Sequence, residues 1–240
     1  VYPECSKPFF LKIRILQSKR DFVNEIFFFS HIFIVVGFTL IALRLGSSAL
    51  IAFIALQGVL ANLFVVKQTT LFCFGVTCSD VFAISGILSL NLLQEYFGKE
   101  KAKLAVRISL FTLLFFALMS QMHLFYTPNL FDTTHGAFQA IFASTFRIVV
   151  ASIGTFYVVQ QVDVRIFPLF KGSLPLRVTC SLLCSQLLDT ILFSFFGLYG
   201  IVQSLFDVIA LSFFIKGLII AISSPFVVFA KRFVSKNVQI

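Results

Sequence analysis

The stretch IFFFSHIFIVVGFTLIAL, residues 26–43, is apolar around the whole circumference of a helix. A soluble amphipathic helix keeps one polar face toward water, whereas this run needs lipid or protein on every side. At 1.5 Å per residue it is roughly 27 Å long, close to the thickness of a bilayer's hydrocarbon core. Comparable apolar runs follow at about 48–66, 76–97, 103–124, 138–161, 176–197 and 205–230. The sequence therefore predicts an all-α polytopic membrane protein of about seven hydrophobic segments. A basic tail over 1–25 precedes a single transmembrane helical domain over 26–232, and a short tail follows over 233–240.

Composition points the same way. Of 240 residues, 59% are hydrophobic and 12% charged, against about 25% charged in an average soluble domain. The net charge of +9 sits in short clusters between the apolar runs, not along one helix face, so it marks topology and not direct contact with nucleic acid. Cys5, Cys73, Cys78, Cys180 and Cys184 contain no C-x-x-C pair and are expected to be small buried hydrophobes. His31, His123 and His135 lack the mutual spacing of metal ligands, and neither a metal nor a cofactor is expected. No small-residue cleavage site follows the first run, which is expected to stay in the mature chain.

Lys and Arg accumulate in short cytoplasmic loops. Lys99, Lys101 and Lys103 precede the fourth segment, Arg165, Lys171 and Arg177 separate the fifth and sixth, and Lys231, Arg232 and Lys236 follow the seventh, while 125–137 and 198–204 carry none. The C-terminus is expected in the cytoplasm. Seven full spans would then put Lys7, Lys12, Arg14, Lys19 and Arg20 outside, against the same rule. Two topologies follow: seven crossings, or a third segment that enters and leaves on the cytoplasmic side, as backbone lining a cavity is able to do.

Ionisable groups at membrane depth mark pathways or sites by default. Asp189 and Lys216 fall near the middles of the sixth and seventh segments and are the first candidate ion pair. Arg147, in the fifth, needs a partner from elsewhere, with Glu95 and Asp80 of the third segment on offer. Asp163, at a helix end beside Arg165, reads as a wet residue. Gln-x-x-Asp occurs at Gln160 and Asp163 and again at Gln186 and Asp189, and that spacing puts each amide and carboxylate on one helix face. Such a pair offers donor and acceptor together, which suits a flat heterocycle showing both N–H and C=O groups, although it also suits helix packing.

The runs ANLFVVKQTTLFCFG (61–75), NLLQEYFGKEKAKLAV (91–106), FRIVVAS (146–152), VQQVDVRIF (159–167), LRVTCSLLCSQLLDTILF (176–193) and FIKGLIIAISSPF (214–226) carry a resemblance. Together, over about 48–232, they resemble the bacterial queuosine precursor transporters, also called the vitamin uptake transporter family, with SQLLDT (185–190) the most specific element. The resemblance implies a fold like the substrate-binding subunits of energy-coupling-factor transporters, a six-helix core with an added N-terminal helix. It implies import across the bacterial cytoplasmic membrane of 7-deazaguanine bases, queuosine precursors or queuine, for insertion into tRNA. Against the family pattern, Asn91 stands where an aspartate is expected, and Val178 and Thr179 where asparagines are. A deazaguanine presents an N–H beside an exocyclic amine, which a carboxylate accepts, and a carbonyl that a cation or amide meets. Asn62, Glu95, Arg147, Gln160, Gln186, Asp189 and Lys216 are the candidate binding residues.

Other classes fit less well. No phosphate loop of the G-x-x-x-x-G-K-[ST] type is present, and neither H-E-x-x-H nor G-x-S-x-G marks an intramembrane enzyme. Coupling-factor partner subunits are not favoured, since no Ala-x-x-x-Ala docking spacing occurs. A non-transporting membrane receptor or subunit would share the polar features and differ only in flux. The charge pattern carries its own prediction. In a background without native cysteines, Asp132→Cys is labelled by an impermeant maleimide in intact cells and Lys236→Cys is not; labelling at 236 overturns the orientation.

Overall fold

The computed structural model describes residues 7–65, 67–72, 74–77, 79–142, 146–200 and 205–234, with backbone alone described at 7–22, 74–75, 146–147, 198, 205 and 207. Helix α1 (Lys7–Leu45) contains the decisive stretch. Its 39 residues measure about 58 Å, nearly twice the roughly 30 Å of a hydrocarbon core. At Gly46 the chain takes φ 109°, a conformation glycine adopts without steric cost, and reverses into α2 (Ser47–Phe64). A two-stranded antiparallel hairpin follows, β1 (Gln68–Leu71) on β2 (Phe74–Thr77), with Gln68 opposite Thr77. Then come α3 (Asp80–Phe97), α4 (Lys99–Leu124), the short α5 (His135–Phe142) and α6 (Phe146–Ile166). Helix α7 (Leu174–Phe193) runs into a wide π turn at Ser194–Leu198. Helix α8 (Leu205–Ser223) tightens into a 3-10 turn at Ser224–Phe229, where Pro225 removes a backbone donor, before α9 (Ala230–Phe233).

The protein is an all-α polytopic membrane protein. Among the described residues, five helical stretches are long and apolar enough to cross a bilayer: Val23–Leu45, Ser47–Phe64, Lys99–Leu124, Leu174–Gly197 and Val208–Phe233. Large apolar side chains cover the outside, for example Phe111, Phe115 and Leu118 on α4, as a lipid-facing surface requires. The segments expected at 76–97 and 138–161 differ from the other five. The first begins within β2, and the second takes in α5 and α6 on either side of residues 143–145, which lie outside the described residues. Helices α3 and α6 hold the polar residues Asn91, Gln94, Gln160 and Asp163, all buried, and are not among the five apolar stretches.

Helix α3 is the axis of the bundle. Every residue from 84 to 94 is buried, and α1, α2, α4, α6, α7 and α8 all pack on it. Its hydroxyls are met by neighbours: Thr39 of α1 lies 3.2 Å from both Ser85 and Ser89, and the Gln57 amide of α2 donates to Ser89 at 3.2 Å. The start of α3 shares a cavity with Asp189, and near its end Glu95 pairs with Arg177, twelve residues earlier on α7. Helix α3 thus runs antiparallel to α7 along about 18 Å, and the alternative in which this segment leaves by the side it entered is not what the chain does. The Asn24 amide donates to the Thr70 carbonyl at 3.2 Å, so the N-terminal part of α1 lies at the hairpin end. The basic residues between α3 and α4, between α6 and α7, and on α9 lie at the opposite end, and the conflict with the charged residues of 7–20 is a property of the fold.

Helices α2, α4 and α6 meet at Gly58, where an added Cβ would lie 2.9 Å from the Phe156 ring and 3.6 Å from Leu113. Gly58→Leu is expected to cost roughly 1–3 kcal/mol through overpacking, read as a lower midpoint of thermal unfolding in detergent; an unchanged midpoint would show that the crossing is looser than described.

Candidate functional site

Toward the hairpin end of the bundle, α7 and α8 place an ion pair inside the protein. Lys216 Nζ donates to Asp189 Oδ2 at 2.5 Å, with side chains 6% and 22% exposed. Removing either charge from such a setting leaves the other uncompensated. The pair lines a cavity of about 170 Å³ that also touches Asn62, Asp80, Ser152 and Thr155. Asn62 is held in a fixed orientation, its Nδ2 donating to Gly58 O at 3.0 Å and its Oδ1 accepting from Ser152 Oγ at 2.6 Å. The π turn after α7 contributes Ser194, next to Phe193, to the same wall, and such turns recur at functional sites.

Thr77 and Asp80 line this cavity and also a larger one of about 530 Å³ between the hairpin, α1 and Phe64. Aromatic contacts shape that vestibule: Phe64 stacks on Phe82 at 5.8 Å, and His31 meets the same ring edge-on at 4.6 Å. A further recess of about 740 Å³ lies under the loop before α5. There the Asp132 carboxylate accepts from Thr134 N, Thr134 Oγ1 and His135 N at 2.8, 2.8 and 3.1 Å. Those bonds, led by the Thr134 backbone N–H, hold its pKa below the ordinary carboxylate value, and they serve the start of α5.

Of the residues predicted to bind a solute, Asn62, Asp189 and Lys216 share the ion-paired cavity. The others do not join them. Glu95 lies at the opposite end, bound to Arg177, whose guanidinium also lies 4.7 Å from the Phe167 ring centre. The Arg147 side chain lies outside the described residues. Gln160 and Gln186 are buried, Gln160 one turn before Asp163 on α6 and Gln186 next in sequence to Ser185, which bonds to Asp163. Asp163 itself departs from expectation: it is 0% exposed and accepts from Ser181 Oγ and Ser185 Oγ at 2.5 and 2.7 Å. Helix α6 continues to Ile166 and turns 163 toward α7, while Arg165 is exposed.

The cysteines of α7 also depart from expectation, since Cys180 is half-buried and Cys184 exposed. Val178, Ser181, Leu182, Ser185 and Gln186 form the inner face of α7, and 184 falls on the outer one with Leu183 and Leu187. Sequence reading passed over Asp80 as a cavity residue, although an acidic side chain opening a buried helix was a usable signal. Nothing in the sequence links Asn62 to Ser152, ninety residues apart.

Lipid-facing helices around an ion-paired polar cavity that adjoins a vestibule at one end are the build of a membrane transport protein. Residues 77–230 match a family described as "putative vitamin uptake transporter", and the chain belongs to that family. It is also 29% identical over 201 residues to a Bacillus subtilis (strain 168) protein described as a "probable queuosine precursor transporter", covering 80% of this chain and 87% of that one. No solved structure matches the chain.

The ion pair predicts a specific stability pattern. Asp189→Leu or Lys216→Met alone is expected to cost roughly 3–5 kcal/mol, whereas the double variant recovers most of that loss. Thermal unfolding of the purified proteins in detergent checks this; a double variant as unstable as the singles would show that the two charges do not act as a pair.

Proposed function

We propose that the protein imports 7-deazaguanine bases, queuosine precursors or queuine, across the bacterial cytoplasmic membrane to supply tRNA modification. The observation that carries this reading is the cavity that sets the Asp189–Lys216 pair beside Asp80 and the oriented Asn62 amide. A carboxylate there accepts the paired N–H groups of the base, and an ammonium or amide N–H donates to its carbonyl. At about 170 Å³ the cavity has the scale of roughly six water molecules, suited to a compact flat ring system. A bulkier substituent on that ring would extend into the vestibule shared through Thr77 and Asp80. The name of the Bacillus subtilis relative points to the same solute class.

In this reading the C-terminus and the basic loops face the cytoplasm, and the hairpin and vestibule face outward. The solute enters from the vestibule, and the protein works as a stand-alone carrier. Expression in a bacterium that neither makes nor imports queuosine precursors is expected to restore queuosine in tRNA when queuine or a precursor is supplied. Absence of queuosine with every compound, while the protein is present in the membrane, refutes the solute assignment.

A further inference from the structure

A second polar site lies deeper in the bundle and takes no part in the ion-paired cavity. Both hydroxyls that reach Asp163, from Ser181 and Ser185, donate to the same oxygen, Oδ1. Its Oδ2 is buried without a partner among the described residues. Gln160, one turn earlier on the same face of α6 and 0% exposed, has neither amide atom partnered among the described residues. Gln94 donates its Nε2 to the Val164 carbonyl, beside Asp163, and leaves its buried Oε1 unpartnered, as does Gln186 next to Ser185.

The group is therefore rich in acceptors: among the described residues, Asp163 Oδ2 and the amide oxygens of Gln94, Gln160 and Gln186 lack partners, against the amide nitrogen of Gln160, and Asn91 of α3 adds one unpartnered oxygen and one unpartnered nitrogen. Bound at Oδ2, a single proton turns an acceptor into a donor for an amide oxygen and removes a charge from the membrane interior, where an unpaired carboxylate is costly. No charged side chain from the described parts of neighbouring elements does this instead. On α3 and α7, Glu95 and Arg177 are closed on each other, and Asp80 and Asp189 line the other cavity. On α4, Lys99, Glu100, Lys101 and Arg107 are exposed and Lys103 bonds to Glu100. Arg165 of α6 is exposed, and Arg147 lies sixteen residues away on the same helix, about 24 Å along its axis. The uncharged titratable groups nearest in sequence to these contacts are Cys180, Cys184 and Tyr96.

We propose that Asp163 is the proton-binding site that couples solute import to proton entry, an inference that rests on the transport function proposed above. The proton passes from hydronium on the outer side to Asp163 Oδ2, forming one O–H bond, and leaves to water on the cytoplasmic side as that bond breaks. Ser181, Ser185 and Asp189 follow one another at intervals of four on α7, so the face that holds the proton site continues into the solute cavity one turn beyond Ser185. Loading of one site is thereby felt at the other through a shared wall. Asp163 is a positioning and proton-carrying residue and does not touch the solute.

Full-length protein in proteoliposomes tests this with labelled queuine, read in two ways: accumulation under an imposed pH gradient, and exchange against unlabelled queuine with no gradient. Wild type is expected to do both, with one pH unit driving at most about tenfold accumulation at one proton per solute. Asp163→Asn, which keeps the shape and the acceptor oxygen, is expected to retain exchange within about twofold and to lose accumulation. Accumulation by Asp163→Asn equal to wild type, or wild-type accumulation that follows sodium and ignores pH, overturns the inference. Failure of wild type to exchange queuine overturns the transport reading instead. If Asp163→Asn does not fold, Ser181→Ala with Ser185→Ala keeps the carboxyl and strips both donors. A shift in the pH midpoint of uptake then supports the inference, and an unmoved midpoint overturns it.

Discussion

The fold depends on a requirement placed on one helix. Helix α3 carries Ser85, Ser89, Asn91 and Gln94 within a stretch that is buried throughout, and no bulk water reaches membrane depth to solvate them. Protein meets most of them: Thr39 and Gln57 meet the serines and the Val164 carbonyl meets Gln94 Nε2, while the Asn91 amide has no partner among the described residues. These contacts select which helices surround α3 and in what rotational setting. Individually they are weak, on average about 0.6 kcal/mol for an interhelical hydrogen bond in a membrane, so order comes from their number and from the apolar packing between them.

With α3 at the centre, α7 becomes the wall common to two chemically different places. Its outer turns face lipid with Leu183, Leu187 and Ile191. Its inner face gives hydroxyls to Asp163 and, further along, a carboxylate to Lys216. One place sets an ammonium against two carboxyl groups, those of Asp189 and Asp80; the other is a carboxyl held by neutral donors. Charge placed beside charge fixes a ligand's orientation, whereas a lone acid among hydroxyls and amides responds to the presence or absence of a proton. Their common helix joins the two without a long chain of intermediates.

Much of this was legible in the sequence, and the reasons separate cleanly. The apolar runs showed a membrane protein because lipid imposes composition directly. The Asp189–Lys216 pair was legible because two opposite charges at mid-membrane depth have few other ways to be accommodated. Asp163 was misread because its neighbour Arg165 and its nearness to a helix end suggested water, while the deciding fact, two serines on α7, lies eighteen and twenty-two residues away. Glu95 was read as a possible partner of Arg147 and as a binding residue, yet it pairs with Arg177 of another helix. The hairpin at 68–77 falls in the gap between two apolar runs and overlaps the start of the second, and its ten residues are too few to show a strand period against those runs. The joining of Asn62 to Ser152 is tertiary packing, which leaves no mark on a single sequence.

The Glu95–Arg177 bridge lies across the end of the bundle opposite the vestibule, with Arg177 also seated over Phe167. It joins α3 to α7, the two helices that run antiparallel past both polar sites. Because one partner sits on each helix, α3 and α7 can slide or part at that end only after the pair has separated, so the bridge ties their movements together there.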